Sequence, residues 1–256
     1  MKLSIPTLKA CALTLTALTL SVNIQAEEVH LAVAANFTAP IKIIATNFEK
    51  ETRHKLIVTL GATGKFYAQI RNGAPFDVFL SADDETPERL EKEGNAVAGT
   101  RFTYATGRLA LWSAQANFVD AKGDVLKTGA FAHIAIAAPK IAPYGAAAIE
   151  ALKHLGLLTA LEPKFVQGES IGQTFNFIAT GNALLGFVAL SQVMEDGRIR
   201  IGSAWIVPAQ MHTALRQDVV LLAKGKTNAG AAAFMSYLKA DKTLAVIRSY
   251  GYEVRP

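Results

Sequence analysis

From Val29 onward, short runs of apolar residues alternate with longer stretches in which apolar positions recur every three or four residues. The short runs have the length of strands and the long ones a helical period, so the chain reads as strand, helix, strand, helix. Strands are predicted at Val29 to Ala34, Lys55 to Leu60 and Asp77 to Ser81. Each leads into a predicted helix. The first is Ala39 to Thr52, with Ile41, Ile44, Ala45 and Phe48 on one face and Thr38 as its cap; the others are Lys65 to Asn72 and Thr86 to Glu93. A strand at Gly107 to Ser113 opens a second region with two more such units, His133 to Ala137 with Gly145 to Leu155, and Lys164 to Val166 with Gln173 to Thr180. Further strands are expected at Gly186 to Leu190, Trp205 to Val207 and Val219 to Leu222, with closing helices at Ala229 to Lys239 and Thr243 to Tyr250. The alternation is that of an α/β fold with a largely parallel sheet.

In such folds ligands bind where the carboxyl end of a strand turns into the amino end of a helix. Four turns of this kind stand out: Ala34 to Thr38, Gly61 to Gly64, Ala138 to Gly145 and Gly168 to Gly172. The first N–H groups of a helix have no internal partner and carry partial positive charge, so several helix starts facing one cleft form an anion cage. Asn36, Thr63 and Tyr144 add side-chain donors, and no Lys or Arg needs to touch the anion. Taken singly, Gly, Asn, Thr and Ser at helix starts are ordinary capping and turn residues. Only the set of four points to a ligand.

The first 26 residues carry Lys2 and Lys9, an acid-free apolar stretch from Ala10 to Val22 and a short polar end at Ala26. They predict a secretory signal peptide cleaved after Ala26. The apolar stretch is shorter than the ~20 residues a membrane span needs, and Cys11 precedes it, where lipid processing would require it to follow. Cleavage would remove the single cysteine, and with it any disulfide, thiol nucleophile or Cys-ligated zinc. The composition, 51% hydrophobic and 18% charged, is that of a packed globular protein. The net charge of +5 comes from 26 basic residues interleaved with 21 acidic ones, with no basic stripe for a nucleic acid.

Other motifs carry less. Gly61 to Phe66 resembles part of a phosphate-binding loop, but its glycines are too close and Phe66 stands where a metal-binding hydroxyl is needed. The five histidines are scattered without metal-ligand spacing. Ser81 to Asp84 reads as a cap for the helix that follows, Trp112 and Trp205 read as core, and Lys65 lends the cleft a favourable field without being a ligand. The enzyme alternative is a secreted serine hydrolase: Gly168 to Gly172 fits G-x-S-x-G around Ser170, followed in order by Asp196 and His212. It would leave the anion-type turns of the N-terminal half without a role.

Several segments together resemble the periplasmic molybdate-binding proteins of ABC importers, which have the two-lobed type II periplasmic binding protein fold. The carriers are Ala34-Ala35-Asn36-Phe37, Gly61 to Ile70 (GATGKFYAQI), Asn72 to Asp83 (NGAPFDVFLSAD), Phe102 to Trp112 (FTYATGRLALW), Ile141 to Gly145 (IAPYG) and Leu184 to Leu190 (LLGFVAL). The resemblance implies two α/β lobes, each a mixed sheet flanked by helices: 27–108 with 220–256, and 109–219, joined by two crossing segments. It implies that molybdate, or tungstate, is held as an oxyanion at Asn36, Ala62, Thr63, Tyr144 and the backbone N–H of Ile171, with no bond from protein to metal and no cofactor. Where many members have Ser, this chain has Ala62-Thr63, which leaves open which Thr63 atom donates. Some members use a tyrosine from the strand GFVAL; here that strand has Ala189, and Tyr144 in the Pro-Tyr-Gly turn would substitute. The implied role is non-enzymatic: a periplasmic monomer that closes over the anion and delivers it to a membrane permease.

Overall fold

A computed structural model describes residues 26–254. The expected signal peptide, Ala26 excepted, lies outside the described residues. The described residues start as a β–α series: β1 (Glu28–Ala34), α1 (Thr38–Thr52), β2 (Lys55–Gly61), α2 (Thr63–Arg71), β3 (Val78–Leu80) and α3 (Glu85–Lys92). β4 (Phe102–Gly107) ends this series and, after Arg108 alone, β5 (Leu109–Ser113) starts the next. The second region holds the short α4 (Val125–Thr128), β6 (Ile134–Ala137), α5 (Pro143–His154), the short α6 (Leu158–Leu161), β7 (Phe165–Gly168), α7 (Ile171–Ala179) and β8 (Leu185–Ala189). A two-residue-a-side hairpin, β9 (Met194–Glu195) and β10 (Arg198–Ile199), and β11 (Ser203–Ile206) complete it. The chain then returns through β12 (Leu215–Leu221) to α8 (Ala229–Tyr237) and α9 (Asp241–Ser249).

These strands form two five-stranded sheets, ordered β2-β1-β3-β12-β4 and β11-β5-β8-β6-β7. Both are mixed. β1 runs parallel to β2 and β3, and β6 parallel to β7 and β8, as β–α–β connections require. β12 lies antiparallel between β3 and β4, and β5 and β11 add antiparallel strands to the other sheet. The expectation of largely parallel sheets is corrected here: the chain changes sheet twice, and each strand adjoining a crossing pairs antiparallel. The strand expected at Gly107 to Ser113 is β5, from Leu109; β4, which ends at Gly107 in the other sheet, was not expected, and Arg108 is the crossing between them. The returning strand begins at Leu215, four residues before the apolar run that announced it, since Arg216 and Gln217 interrupt the hydrophobic signal.

Each sheet has its own core. α1 buries Ile41, Ile44 and Phe48 as its period predicts, and Phe48 meets Phe234 and Tyr237 edge-on. The second sheet packs Leu109, Leu111, Ile134, Ile136 and Phe187 against Ala147, Ala148 and Leu152 of α5. That cluster also takes in Ala34, Ala35 and Ala82 from the ends of first-sheet strands, so apolar contact continues between the lobes. Trp112 and Trp205 are buried in the second lobe, as expected.

Four helices begin two residues earlier than their apolar period suggested: α9 at Asp241 and, at the turns, α2 at Thr63, α5 at Pro143 and α7 at Ile171. The first turn of a helix needs no apolar residue when it faces a cleft, so periodicity misses it. Thr63, Tyr144 and Ile171 are therefore first-turn residues, not loop residues.

Candidate functional site

The four turns meet. Gly64 N–H, in the first turn of α2, donates to the Ile141 carbonyl before α5 at 2.9 Å. Gly172, in the first turn of α7, lies so close to Ala35 that a Cβ on it would be 3.1 Å from the Ala35 Cβ. Lys65 of α2 pairs with Glu169 before α7. Asn36 and Tyr144 are joined through one side chain, Gln217 of β12. Each of these contacts runs between the lobes except Asn36–Gln217, which lies within the first.

Asn36, Thr63 and Tyr144 are at most 2% exposed, and Ala62 and Ile171 are 4% exposed, so the five expected ligands sit in a region closed to water. Thr63 and Ile171 open their helices, Tyr144 is second in α5, and Asn36 is the middle residue of a short 3-10 turn, Ala35–Phe37. Their backbone N–H groups have no acceptor within their own turn. Ala62 is the residue before α2 and its backbone is extended, which aims the strand end at the same space.

The hydroxyl groups are oriented from behind. Thr63 Oγ1 accepts from the Ala82 N–H at 3.1 Å, and Tyr144 Oη accepts from Gln217 Nε2 at 2.9 Å. A hydroxyl whose lone pair takes a protein N–H keeps its own hydrogen to give. For Thr63 this favours the side-chain O–H as a donor beside the backbone N–H. Asn36 behaves differently. Its Nδ2 hydrogens go to Gln217 Oε1 at 2.8 Å and Tyr252 Oη at 2.9 Å, while its Oδ1 is buried without a protein partner. In this conformation the donor Asn36 offers is its backbone N–H, not the side-chain amide expected from sequence.

Behind these residues runs a polar network the sequence did not announce. Tyr104 Oη donates toward the Ser81 carbonyl and Gln217 Oε1, 3.0 Å from each, and Tyr252 Oη lies 2.9 Å from Ser191 Oγ. Ser191 Oγ and Tyr252 Oη each donate toward the Asn36 carbonyl. Burial holds the phenols of Tyr104 and Tyr144 well above the ordinary tyrosine range and pushes Tyr252 up to about 12. All three stay neutral donors at physiological pH. Its trace in sequence is slight: Gln217 is an uncharged polar residue between the charged Arg216 and Asp218 of β12.

The remaining expectations fall into place. Asp83 caps α3 by accepting from Thr86 N and Thr86 Oγ1, and burial raises its carboxyl above the usual range. Thr38 opens α1 and donates to the Ala35 carbonyl, so it is a first-turn residue and not the cap. Among the described residues no cluster of three His, Cys, Asp or Glu could hold a metal ion. The hydrolase triad does not assemble. Ser170 is the N-cap of α7, its Oγ accepting from Gln173 N at 3.3 Å; His212 Nδ1 lies against its neighbour's carbonyl at Thr213; Asp196 forms the left-handed turn of the β9–β10 hairpin.

Residues 29–253 match the family model described as bacterial extracellular solute-binding protein. The molybdate-binding protein ModA of Azotobacter vinelandii is 60% identical over 228 residues, covering 89% of this chain and 90% of its own length. ModA of Rhodobacter capsulatus is 52% identical over 228 residues, covering 89% and 88%. The solved structure of the Azotobacter vinelandii periplasmic molybdate-binding protein superposes with a TM-score of 0.85 at 42% identity, covering 89% of this chain and all of that one. The two-lobed periplasmic binding protein fold expected from the resemblance is the fold found.

Proposed function

The chain belongs to the bacterial extracellular solute-binding protein family, and we propose that it captures molybdate between its lobes and hands it to the permease of an ABC importer. The observation that carries this reading is the meeting of four helix-start turns from separate segments in one water-excluded place, with hydroxyl lone pairs already filled by protein N–H groups. Relatives at 60% and 52% identity named as molybdate-binding proteins support the choice of anion. The proposed ligands are Asn36, Ala62, Thr63, Tyr144 and Ile171, which hold the oxyanion through hydrogen bonds and leave the metal atom untouched. No chemistry is done on the ligand. The protein works as a monomer in the periplasm after loss of its leader, with lobes 27–108 plus the returning chain and 109 to the second crossing. The return is best placed at Leu215, where β12 begins, rather than at residue 220.

Closure over the anion excludes water and strengthens each N–H···O and O–H···O contact in the lower dielectric. The cage is built mainly of donors, with Asn36 Oδ1 as an acceptor that has no protein partner, so it has little with which to accept a hydrogen bond from its guest and favours a fully deprotonated dianion, molybdate or tungstate, over hydrogen phosphate. The test is a competition series with molybdate, tungstate, sulfate and phosphate, read by melting temperature and by the fluorescence of Trp112 and Trp205. Molybdate and tungstate should raise the melting temperature and phosphate should not, because a ligand that binds only the folded state stabilises it by mass action. A melting curve indifferent to saturating molybdate would sink the reading.

A further inference from the structure

We infer that Gln217 is a positioning residue that sets the donor polarity of the pocket: by donating to Tyr144 and accepting from Asn36, its single amide leaves the Tyr144 proton for the guest. The inference rests on the anion-capture reading above and concerns a residue that need not touch the anion.

The geometry leaves Gln217 little freedom. It is fully buried, and the β12–β4 register shifts between Gln217 and Asp218, a bulge that re-aims side chains at this point of the strand. Its Oε1 receives Asn36 Nδ2 at 2.8 Å and Tyr104 Oη at 3.0 Å, and its Nε2 reaches Tyr144 Oη at 2.9 Å. Gln217 cannot turn over alone, because its NH2 would then face the Asn36 NH2. Its nitrogen therefore faces Tyr144, and a phenol oxygen that accepts there keeps its hydrogen for another acceptor. Gly107 completes the arrangement: a Cβ there would overlap the Tyr144 hydroxyl and lie 2.5 Å from Gln217 Nε2. Because β12 belongs to the first sheet and α5 to the second lobe, the Gln217–Tyr144 bond also ties polarity to closure. The bond is complete when the lobes have met.

The isosteric variant Gln217→Glu tests this. As a carboxylate it accepts from Tyr144, turning the phenol proton away from the guest; when protonated it can donate as the amide does. The groups facing position 217 are the phenols of Tyr104 on β4 and Tyr144 on α5, with Tyr252 after α9 bonded to the same Asn36 amide. The neighbouring Asp218 is paired with Arg101 and bonded to Thr103. Among the described residues the side chain at 217 bonds to no cation, so burial raises the introduced carboxyl toward neutral pH.

Wild type and Gln217→Glu are titrated with sodium molybdate by calorimetry from about pH 8.5 to about pH 6, a range in which molybdate stays a dianion and burial is expected to place the introduced carboxyl's titration. The expected result is a flat wild-type profile and a variant at least about tenfold weaker at the alkaline end that regains affinity as the pH falls. Wild-type affinity in the variant throughout, or an equal loss at every pH, overturns the inference while wild-type binding leaves the capture reading intact. If wild type itself gives no molybdate signal, both fall. Should the variant not melt cooperatively, the wild-type Gln217 side-chain amide is followed by nitrogen-15 NMR. With molybdate bound its hydrogens should exchange slowly with solvent, and fast exchange overturns the inference.

Discussion

At Tyr144 the same side chain serves packing and recognition. Its ring is buried with Ala137, Ala142 and Phe187, and its hydroxyl ends on Gln217. Tyr144→Phe keeps the ring and removes the one proton the network directs outward. Molybdate binding should weaken by about 1–3 kcal/mol with little change in the melting temperature of the free protein, measured by calorimetry and thermal denaturation. Ser170 makes the opposite case: it looks like a nucleophile in a five-residue motif and serves as a helix cap. Ser170→Ala should leave molybdate affinity unchanged and cost about 0.5–2 kcal/mol of folding stability, read from denaturant melts. The difference between these two hydroxyls was half legible in sequence. A cap and a nucleophile share residue type and turn, and only the position of the other groups separates them.

Among the elements, helix starts decide the site. α2 reaches the second lobe through Gly64, whose N–H bonds to Ile141 and whose missing Cβ makes room for the Ile141 backbone; an added Cβ would lie 3.0 Å from Ile141 Cα. Gly64→Ala raises helix propensity by about 1 kcal/mol, so the free protein should melt at the same temperature or higher. The same methyl crowds the closed form, and molybdate binding should weaken by about 1–3 kcal/mol, the usual cost of overpacking. A variant that gained stability and kept full affinity would show that α2 and the Ile141 turn need not touch for capture. Apart from β4, the β9–β10 hairpin and the short α4 and α6, the strands and helices were legible from period alone, as was the buried face of α1. Their first turns were not, because residues that face a polar cleft break the hydrophobic pattern that marks the rest of the helix.

For the whole molecule, the buried tyrosines set the alkaline limit. An unfolded tyrosine loses its proton near pH ~10, whereas burial raises Tyr104, Tyr144 and Tyr252 above that, Tyr252 to about 12. The folded state then holds more protons than the unfolded one above pH ~10, so stability is fully present below that value and falls as the pH rises through the folded range. The melting temperature should therefore change little on account of these phenols from about pH 7 to about pH 9 and drop from about pH 10 upward, with tyrosinate absorbance lagging that of the denatured chain. A decline already under way at neutral pH, traced to tyrosine ionisation, would contradict this burial.

Sequence by itself determined the α/β alternation and the four anion-type turns, which depend on local period and turn chemistry, and the family, with the five ligands it implies, through contiguous motifs. Tertiary structure alone decided that the four turns meet, that Arg108 carries the chain from β4 in one sheet to β5 in the other, and that Gln217, Tyr104, Tyr252 and Ser191 stand behind the ligands. Gln217 and Asn36 are 181 positions apart and their amides touch at 2.8 Å. A pairing of that kind leaves no mark on either segment's pattern, because one polar residue in a strand reads the same whether its partner is water, a capped helix or a second lobe.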